Sequence, residues 1–240
     1  MRTVAYRTFR DGLAPRRTKL EIPGWAGARE QRVDGSLEQV WHCAPFSEGA
    51  NYGIEVFYPF DFELRVSTRD GALAIEGDFG PPPEPDTEWP PFRKFGERFY
   101  TFQLLLDLDP GPGMAIRSEP HPRFYTDRTG TCPIAVPALI RNFWPMVYFV
   151  VFKSPDEGRT HVFRPGEPFM QFVVVPEEAD FMLAPMQDEP SDSRELQSRR
   201  IHASRDTLGL STRWTSRTKT VFDGTYRHIL RALKERKWRE

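Results

Sequence analysis

"HVFRPGEPFMQFVVVP", residues 161–176, is a pair of apolar runs around a Pro-Gly step, and its reading decides the fold. Residues 169–175, "FMQFVVV", are apolar at successive positions except at Gln171, the pattern of a strand covered on both faces. Pro165 and Gly166 are the residue types that a type II turn takes at its two central positions. Two arrangements follow. A tight hairpin would set Arg164 opposite Glu167 and His161 opposite Met170. A type II turn splays strands more than a primed turn does, so the step serves equally well as a corner between two sheets. Arg164 and Glu167 then form an ion pair beside the turn, and Glu167 is also a candidate catalytic carboxylate if it faces a hollow.

Other segments also read as strands. "FELRVS", residues 62–67, alternates Phe62, Leu64 and Val66 with Glu63, Arg65 and Ser67, as a half-buried strand does. "RFYTFQLLLDL", residues 98–108, reads as one long strand with Tyr100, Phe102, Leu104, Leu106 and Leu108 on one side. "MVYFVVF" (146–152), "IEVFY" (54–58) and "ALAIEG" (72–77) complete the set. Twenty-three prolines among 240 residues demand frequent turns, because proline is kept out of helix interiors and central strands. The proline-dense stretch 80–91 reads as a surface excursion, either a stiff loop or a lid.

From about residue 187 the pattern changes. "SDSRELQSRRIHASRDTLG" reads as a capped helix ending at Gly209. Beyond Thr220, the residues Phe222, Tyr226, Ile229, Leu230 and Leu233 recur at helical spacing beside Arg227, Arg231 and Lys234, an amphipathic helix. Strands first and helices last imply a mainly β protein, an antiparallel β-sandwich or barrel of jelly-roll or cupin-like kind, with a C-terminal helical appendage. The expected division is a β-rich body over 1–186 and a helical extension over 187–240, packed on the body or on a partner.

Nineteen phenylalanines and 39% hydrophobic residues describe a globular chain. The net charge of −1 conceals an asymmetry. Residues 211–240 hold nine Lys and Arg against three acids, leaving 24 of the 33 basic and 31 of the 34 acidic residues in the first 210. Such a basic end suits its own acidic body, a partner protein or a second copy. No nucleic-acid reader motif accompanies it, so nucleic acid ranks last among partners. Cys43 and Cys132 form neither a disulfide framework nor a zinc pattern. The N-terminal residues lack a signal-like apolar core and no run is long enough to span a bilayer. The expectation is a soluble cytoplasmic protein.

The candidate chemistry lies in "IRSEPHPRFYTDRTGT", residues 116–131. A residue before proline is pushed out of the α region, so Glu119 and His121 should be extended. Arg117, Glu119, His121, Arg123, Tyr125 and Asp127 would then share one side. Glu119 and His121, with Glu167, are the candidate catalytic residues. Arg117, Arg123, Tyr125 and Asp127 are candidate ligand-binding residues for an acidic or aromatic metabolite. A divalent metal held by His121, Glu119 and His161 is the sharper version of that idea. No H-x-H, H-E-x-x-H or G-x-S-x-G pattern occurs, and no glycine loop ends in G-K-[ST], so no nucleotide cofactor motif is present.

Three segments in order, "CAPFSEGANYG" (43–53), "FGERFYTF" (95–102) and "GEPF" (166–169), resemble an uncharacterised bacterial domain-of-unknown-function family with a C-x-P-[LF]…A-N…G, F-G…T-F, G-E-P-F pattern. The resemblance spans about residues 41–176 and implies a mostly β bacterial protein whose relatives often lie near secondary-metabolism genes. It implies no activity, cofactor or catalytic residue. Gly53-Ile54 stands where the pattern has Gly-Trp, and "EPHP" replaces a more neutral loop. The function expected is binding or tailoring of a small molecule in a pocket of the β body. The alternative is a non-enzymatic assembly subunit docking, or self-associating, through residues 211–240.

Overall fold

A computed structural model describes residues 3–8, 14–19, 44–82, 85, 89–126, 129–143, 149–208, 214–215, 219, 221–222 and 224–234. The chain divides into two compact units, Met1–Leu20 with Gly49–Ala179 and Glu21–Glu48 with Asp180–Glu240. The elements in order are β1 (Ala5–Thr8), β2 (Arg16–Arg17), α1 (Ala44–Ala50), β3 (Ile54–Phe57), β4 (Leu64–Arg69), β5 (Ala72–Glu76), β6 (Phe92–Phe95), β7 (Phe99–Phe102), β8 (Leu106–Asp109) and β9 (Met114–Pro120). A 3-10 helix, Pro122–Thr126, follows. Then come β10 (Ile134–Ala135), β11 (Leu139–Arg141), β12 (Val150–Lys153), β13 (Thr160–Phe163), β14 (Pro168–Pro176), α2 (Asp188–Leu208), β15 (Trp214–Thr215), β16 (Val221–Phe222) and α3 (Thr225–Lys234).

The first unit is a mainly antiparallel β body. Its sheets run β11-β9-β14-β3-β2, β10-β12-β7-β6, β13-β4-β5 and β1-β8. β14 pairs with β3 on one side and β9 on the other, and its residues 169–172 are buried without alternation. Between Pro168 and Met170 the register slips by a β-bulge, so that Phe169 and Met170 both enter the core. Phe169 lies 5.3 Å from Phe102 of β7, 5.9 Å from Phe152 of β12 and 5.4 Å from Phe163 of β13, centroid to centroid. Rings from three different sheets therefore meet in one core, as in a sandwich. Phe92 and Phe102 stack at 4.2 Å.

The Pro-Gly step is a corner. β13 belongs to one sheet and β14 to another, and the amide of Glu167 donates to the carbonyl of Arg164 at 3.1 Å. Gly166 sits at φ 71°, the left-handed value a type II turn requires at that position. A tight 161–176 hairpin does not form, because β13 finds its partner in β4.

Residues 98–108 are two strands rather than one. Leu104, Leu105 and Leu106 are all buried, which a straight strand with one covered face cannot achieve. Leu105 takes φ 53°, and beyond it β8 leaves β7's sheet to pair with β1. Leu64 and Val66 of "FELRVS" are in the core, but Phe62 precedes β4 and is exposed. Of "MVYFVVF", residues 146–148 lie outside the described residues, as do 83–84 and 86–88 of the proline-dense stretch.

In the second unit, α2 begins at Asp188, earlier than the Ser/Asp cap before Glu195 implies. Asp188 and Glu189 occupy its first turn, where acids match the helix dipole, and Pro190 is tolerated there because first-turn amides have no intrahelical acceptor. α3 starts at Thr225, not near Thr220. Val221–Phe222 pairs instead with Trp214–Thr215, and Gly224 at φ 66° separates strand from helix. Phe222 is therefore not part of the helical stripe. Among the described residues no helix is long and apolar enough to cross a membrane.

Phe102 contacts rings on β6, β13 and β14, so Phe102→Ala leaves a void at the meeting point of the sheets. It is expected to cost about 3–5 kcal/mol, read as a lower urea midpoint with an unchanged denaturant slope.

Candidate functional site

Four strands of the large sheet carry polar residues in direct register. Arg16 of β2 pairs with Glu55 of β3, Glu55 with Gln171 of β14, and Gln171 with Glu119 of β9. Val56 and Met170, one position along, point into the aromatic core, so this polar row lies on the opposite face. Glu55 and Gln171 are nonetheless buried, and so is Thr18, whose hydroxyl lies 3.1 Å from Gln171 Oε1. Gln171 Nε2 reaches Glu119 Oε2 at 3.5 Å.

His121 completes the cluster from beyond the end of β9. It is 1% exposed, as is Glu55. Nδ1 accepts the amide N–H of Arg123 at 3.1 Å, so the proton of the neutral ring sits on Nε2 and is donated to Glu55 Oε2 at 3.2 Å. The His121 carbonyl accepts the Phe124 amide at 3.0 Å. His121 is thus the cap of the 3-10 helix. Arg16 Nε donates to the other oxygen of Glu55. A buried carboxylate with donors on both oxygens is tolerated where a bare one is not.

These contacts set the ionisation. Burial alone would raise the Glu55 pKa, but the hydrogen bonds from His121 and Arg16 and the charge of Arg16 outweigh it, and the group lies below its ordinary 4.5. Burial lowers His121 below 6.5 against the opposing pull of Glu55, with the charges of Arg123 and Arg16 adding to the lowering. A carboxylate and a neutral imidazole result. Both ring nitrogens are engaged within the fold, so the ring holds strand ends together and presents no lone pair to a reactant.

The expectation that Arg117, Glu119, His121, Arg123, Tyr125 and Asp127 line one side is corrected by the 3-10 helix. β9 ends at Pro120, and strand alternation stops there. Arg117 and Glu119 share a face, with Arg117 Nε 3.6 Å from Glu119 Oε1. Tyr125 is exposed, and its phenol is pushed up by partial burial and then by the charge of Glu119. Arg123 turns the other way. Its Nη2 donates to Glu167 Oε2 at 2.8 Å and its Nη1 to the Pro168 carbonyl at 3.1 Å. Asp127 lies outside the described residues.

Glu167 also lies 3.8 Å from Arg164, whose Nε is 3.5 Å from Glu63. The ion pair beside the turn is therefore one link in a chain of charges. The hollow bounded by Arg123, Thr131, Cys132, Arg164 and Glu167 has a volume of about 20 Å³, room for a single water, whereas small-molecule pockets start near roughly 300 Å³. His161 belongs to the β13 sheet, where its Nδ1 is 2.9 Å from the hydroxyl of buried Tyr100; burial holds that phenol well above its usual pKa. Glu119, His121 and His161 are not gathered about one point. Among the described residues no group of three or more His, Cys, Asp or Glu is placed to hold a metal ion.

Sequence reasoning missed Arg16, Thr18 and Glu55. Gln171 was the available signal, since a lone amide in a strand covered on both faces must have buried partners. Nothing within "IEVFY" singled out Glu55. His42 and Cys43 lie outside the described residues.

No family model matches the chain, and no curated protein matches it. Among solved structures, an EIAV dUTPase aligns over 78% of this chain and 98% of that one at 8% identity, with a TM-score of 0.38. A mutant dUTPase of Staphylococcus bacteriophage 80alpha aligns over 77% and 97% at 8% identity and a TM-score of 0.42. The dUTPase from phage phi11 of S. aureus aligns over 78% and 98% at 7% identity and a TM-score of 0.38. At such identities and TM-scores no site residue or substrate transfers to this chain.

Three predictions test the polar row. A Cβ on Gly53 would meet Gln171 Oε1 at 2.4 Å and the Phe172 carbonyl at 3.0 Å, so Gly53→Ala should displace the amide and cost about 1–3 kcal/mol in urea unfolding. Glu55→Leu should cost about 1–3 kcal/mol because His121 loses the acceptor of a buried N–H, with Glu55→Gln retaining part of it. Acid acts in the same direction through both groups. As pH falls below 6.5 the unfolded imidazole takes a proton that folded His121 resists, and below 4.5 the unfolded carboxylate does so while folded Glu55 resists. Stability should therefore decline on acidification through both windows, and His121→Asn should flatten the upper one. Equal unfolding midpoints above and below pH 6.5 in the unaltered protein would contradict the assignment.

Proposed function

We propose that this chain is an assembly protein, its β body a stiff scaffold and the segment from residue 180 onward the part that binds, with a second copy of the chain as the occupant. The observation that carries this reading is the run Phe181, Met182, Leu183, which is 72%, 95% and 93% exposed. Single exposed apolar residues are ordinary, whereas three consecutive large ones mark an interaction surface. A helix that is polar all round needs outside support or many internal ion pairs. α2 has residues 188–200 exposed without a break.

Charge supports a copy as the partner. The first 210 residues carry an excess of acids and the last thirty an excess of bases, so one copy's C-terminal end complements another's body. Apolar burial supplies roughly 1.5–3 kcal/mol per large side chain, and a symmetric pair doubles the number buried. After the cost of association, a dissociation constant on the order of micromolar is expected.

Sedimentation velocity across a concentration series should show a reversible increase in mass. Replacing Phe181, Met182 and Leu183 together by Ser should leave a monomer with an unchanged unfolding midpoint. A native chain that stays monomeric up to concentrations of about 100 times that affinity would overturn the proposal.

A further inference from the structure

The two ring nitrogens of buried His121 face partners of opposite kind. Glu55 of β3, a carboxylate beside Arg16 of β2, accepts from Nε2 at 3.2 Å. The Arg123 amide, in the first turn of the 3-10 helix, donates to Nδ1 at 3.1 Å. The first contact suits an imidazolium and the second does not. A proton on Nδ1 would aim two N–H donors at each other across 3.1 Å. Glu55 holds the ring from its far side, and holds a charged ring more tightly. The part that must yield is the amide.

The amide is not alone in depending on this contact. The Phe124 N–H is anchored on the His121 carbonyl at 3.0 Å. The Arg123 side chain binds Glu167 Oε2 at 2.8 Å and the Pro168 carbonyl at 3.1 Å, and its guanidinium lies 5.1 Å from the Phe124 ring. Phe124 in turn packs against the aromatic core. Loosening this turn therefore withdraws a cation from the Pro-Gly corner and an apolar ring from the edge of the core.

We propose that His121 is a proton-operated latch: when neutral it clamps Pro122–Thr126 to the sheet, and when protonated it releases that segment while the body stays folded. The surrounding groups set the range in which it works. Arg123 on the helix and Arg16 on β2 oppose a further positive charge, and Glu55 on β3 favours it. Glu119 on β9 is turned to Arg117 and Gln171, and Glu167 at the corner is matched by Arg123 and Arg164. Burial leads the balance and holds the latched ring below 6.5, whereas in the released segment it is solvated and returns toward that value. Below pH 6.5 the released form takes up a proton that the latched form resists. Release should then grow by up to about tenfold per pH unit. Glu55, held below 4.5, stays ionised between pH 6.5 and 4.5, and Tyr125, raised above 10.0, stays neutral. Of these three, only His121 changes charge there.

The test is nitrogen-15 NMR of the full chain across that range, following the His121 ring nitrogens and the amides of 122–126. The ring and the Arg123 amide should shift with one midpoint below pH 6.5. Protection of the Arg123 and Phe124 amides against hydrogen exchange, corrected for intrinsic rates, should fall while β14 amides keep theirs. His121→Asn retains a side-chain oxygen able to accept the amide two residues on and has no proton to gain, so its segment should stay closed at every pH. A ring that protonates while the two amides keep their protection would overturn the latch. So would release with the same pH dependence in His121→Asn, or a ring that stays neutral until β14 itself loses protection.

Discussion

Glu55 lies where water does not reach, and an ionised carboxylate there is tolerable only with donors on both oxygens. Arg16 supplies one from a two-residue edge strand, and His121 supplies the other from beyond the end of β9. Two chain segments are thereby brought to β3. The demand extends sideways, because Gln171 stands next to Glu55 in the sheet and must satisfy its own amide with Thr18 and Glu119. It also reaches Gly53, which has no side chain because Gln171 occupies the space. Buried charge of this kind adds little net stability compared with an apolar replacement, but losing one partner is expensive. Its effect is to penalise any register that leaves the carboxylate unpaired.

On the other face of the same sheet the requirement is apolar. Phe169 and Met170 enter the core because a bulge at the start of β14 breaks alternation, and Phe169 then meets rings from β7, β12 and β13. The Pro-Gly corner makes this possible by sending β13 and β14 into different sheets. β14 is thus the wall shared by an aromatic core and a polar row. The charges around Glu167 sit at that corner and brace it.

The groups that looked catalytic are occupied in holding the body together, and three consecutive large apolar side chains, Phe181, Met182 and Leu183, are left in contact with water in the second unit. That contrast is what directs the functional reading toward assembly.

Much of the body was legible because strands and turns are encoded locally. Alternation marked β4, short candidate runs fell on β3 and β5, and the doubly apolar run marked β14. The Pro-Gly step announced its turn, although whether it closed a hairpin or a corner depended on which strand β13 would pair with. The leucines at 104–106 read as one strand because periodicity does not register a left-handed backbone at Leu105. His121 was visible as a polar residue between prolines, but its partner Glu55 is 66 positions away and Arg16 is 39 positions from Glu55. Thr18 and Gln171 are 153 apart. The sequence by itself determined that the body is β-rich, with runs near β3, β4, β5, β12 and β14, and that helices follow it, since side-chain period and turn chemistry act over a few residues. Only the tertiary structure decided which buried polar groups meet, because strand order and register bring together positions that no local pattern connects.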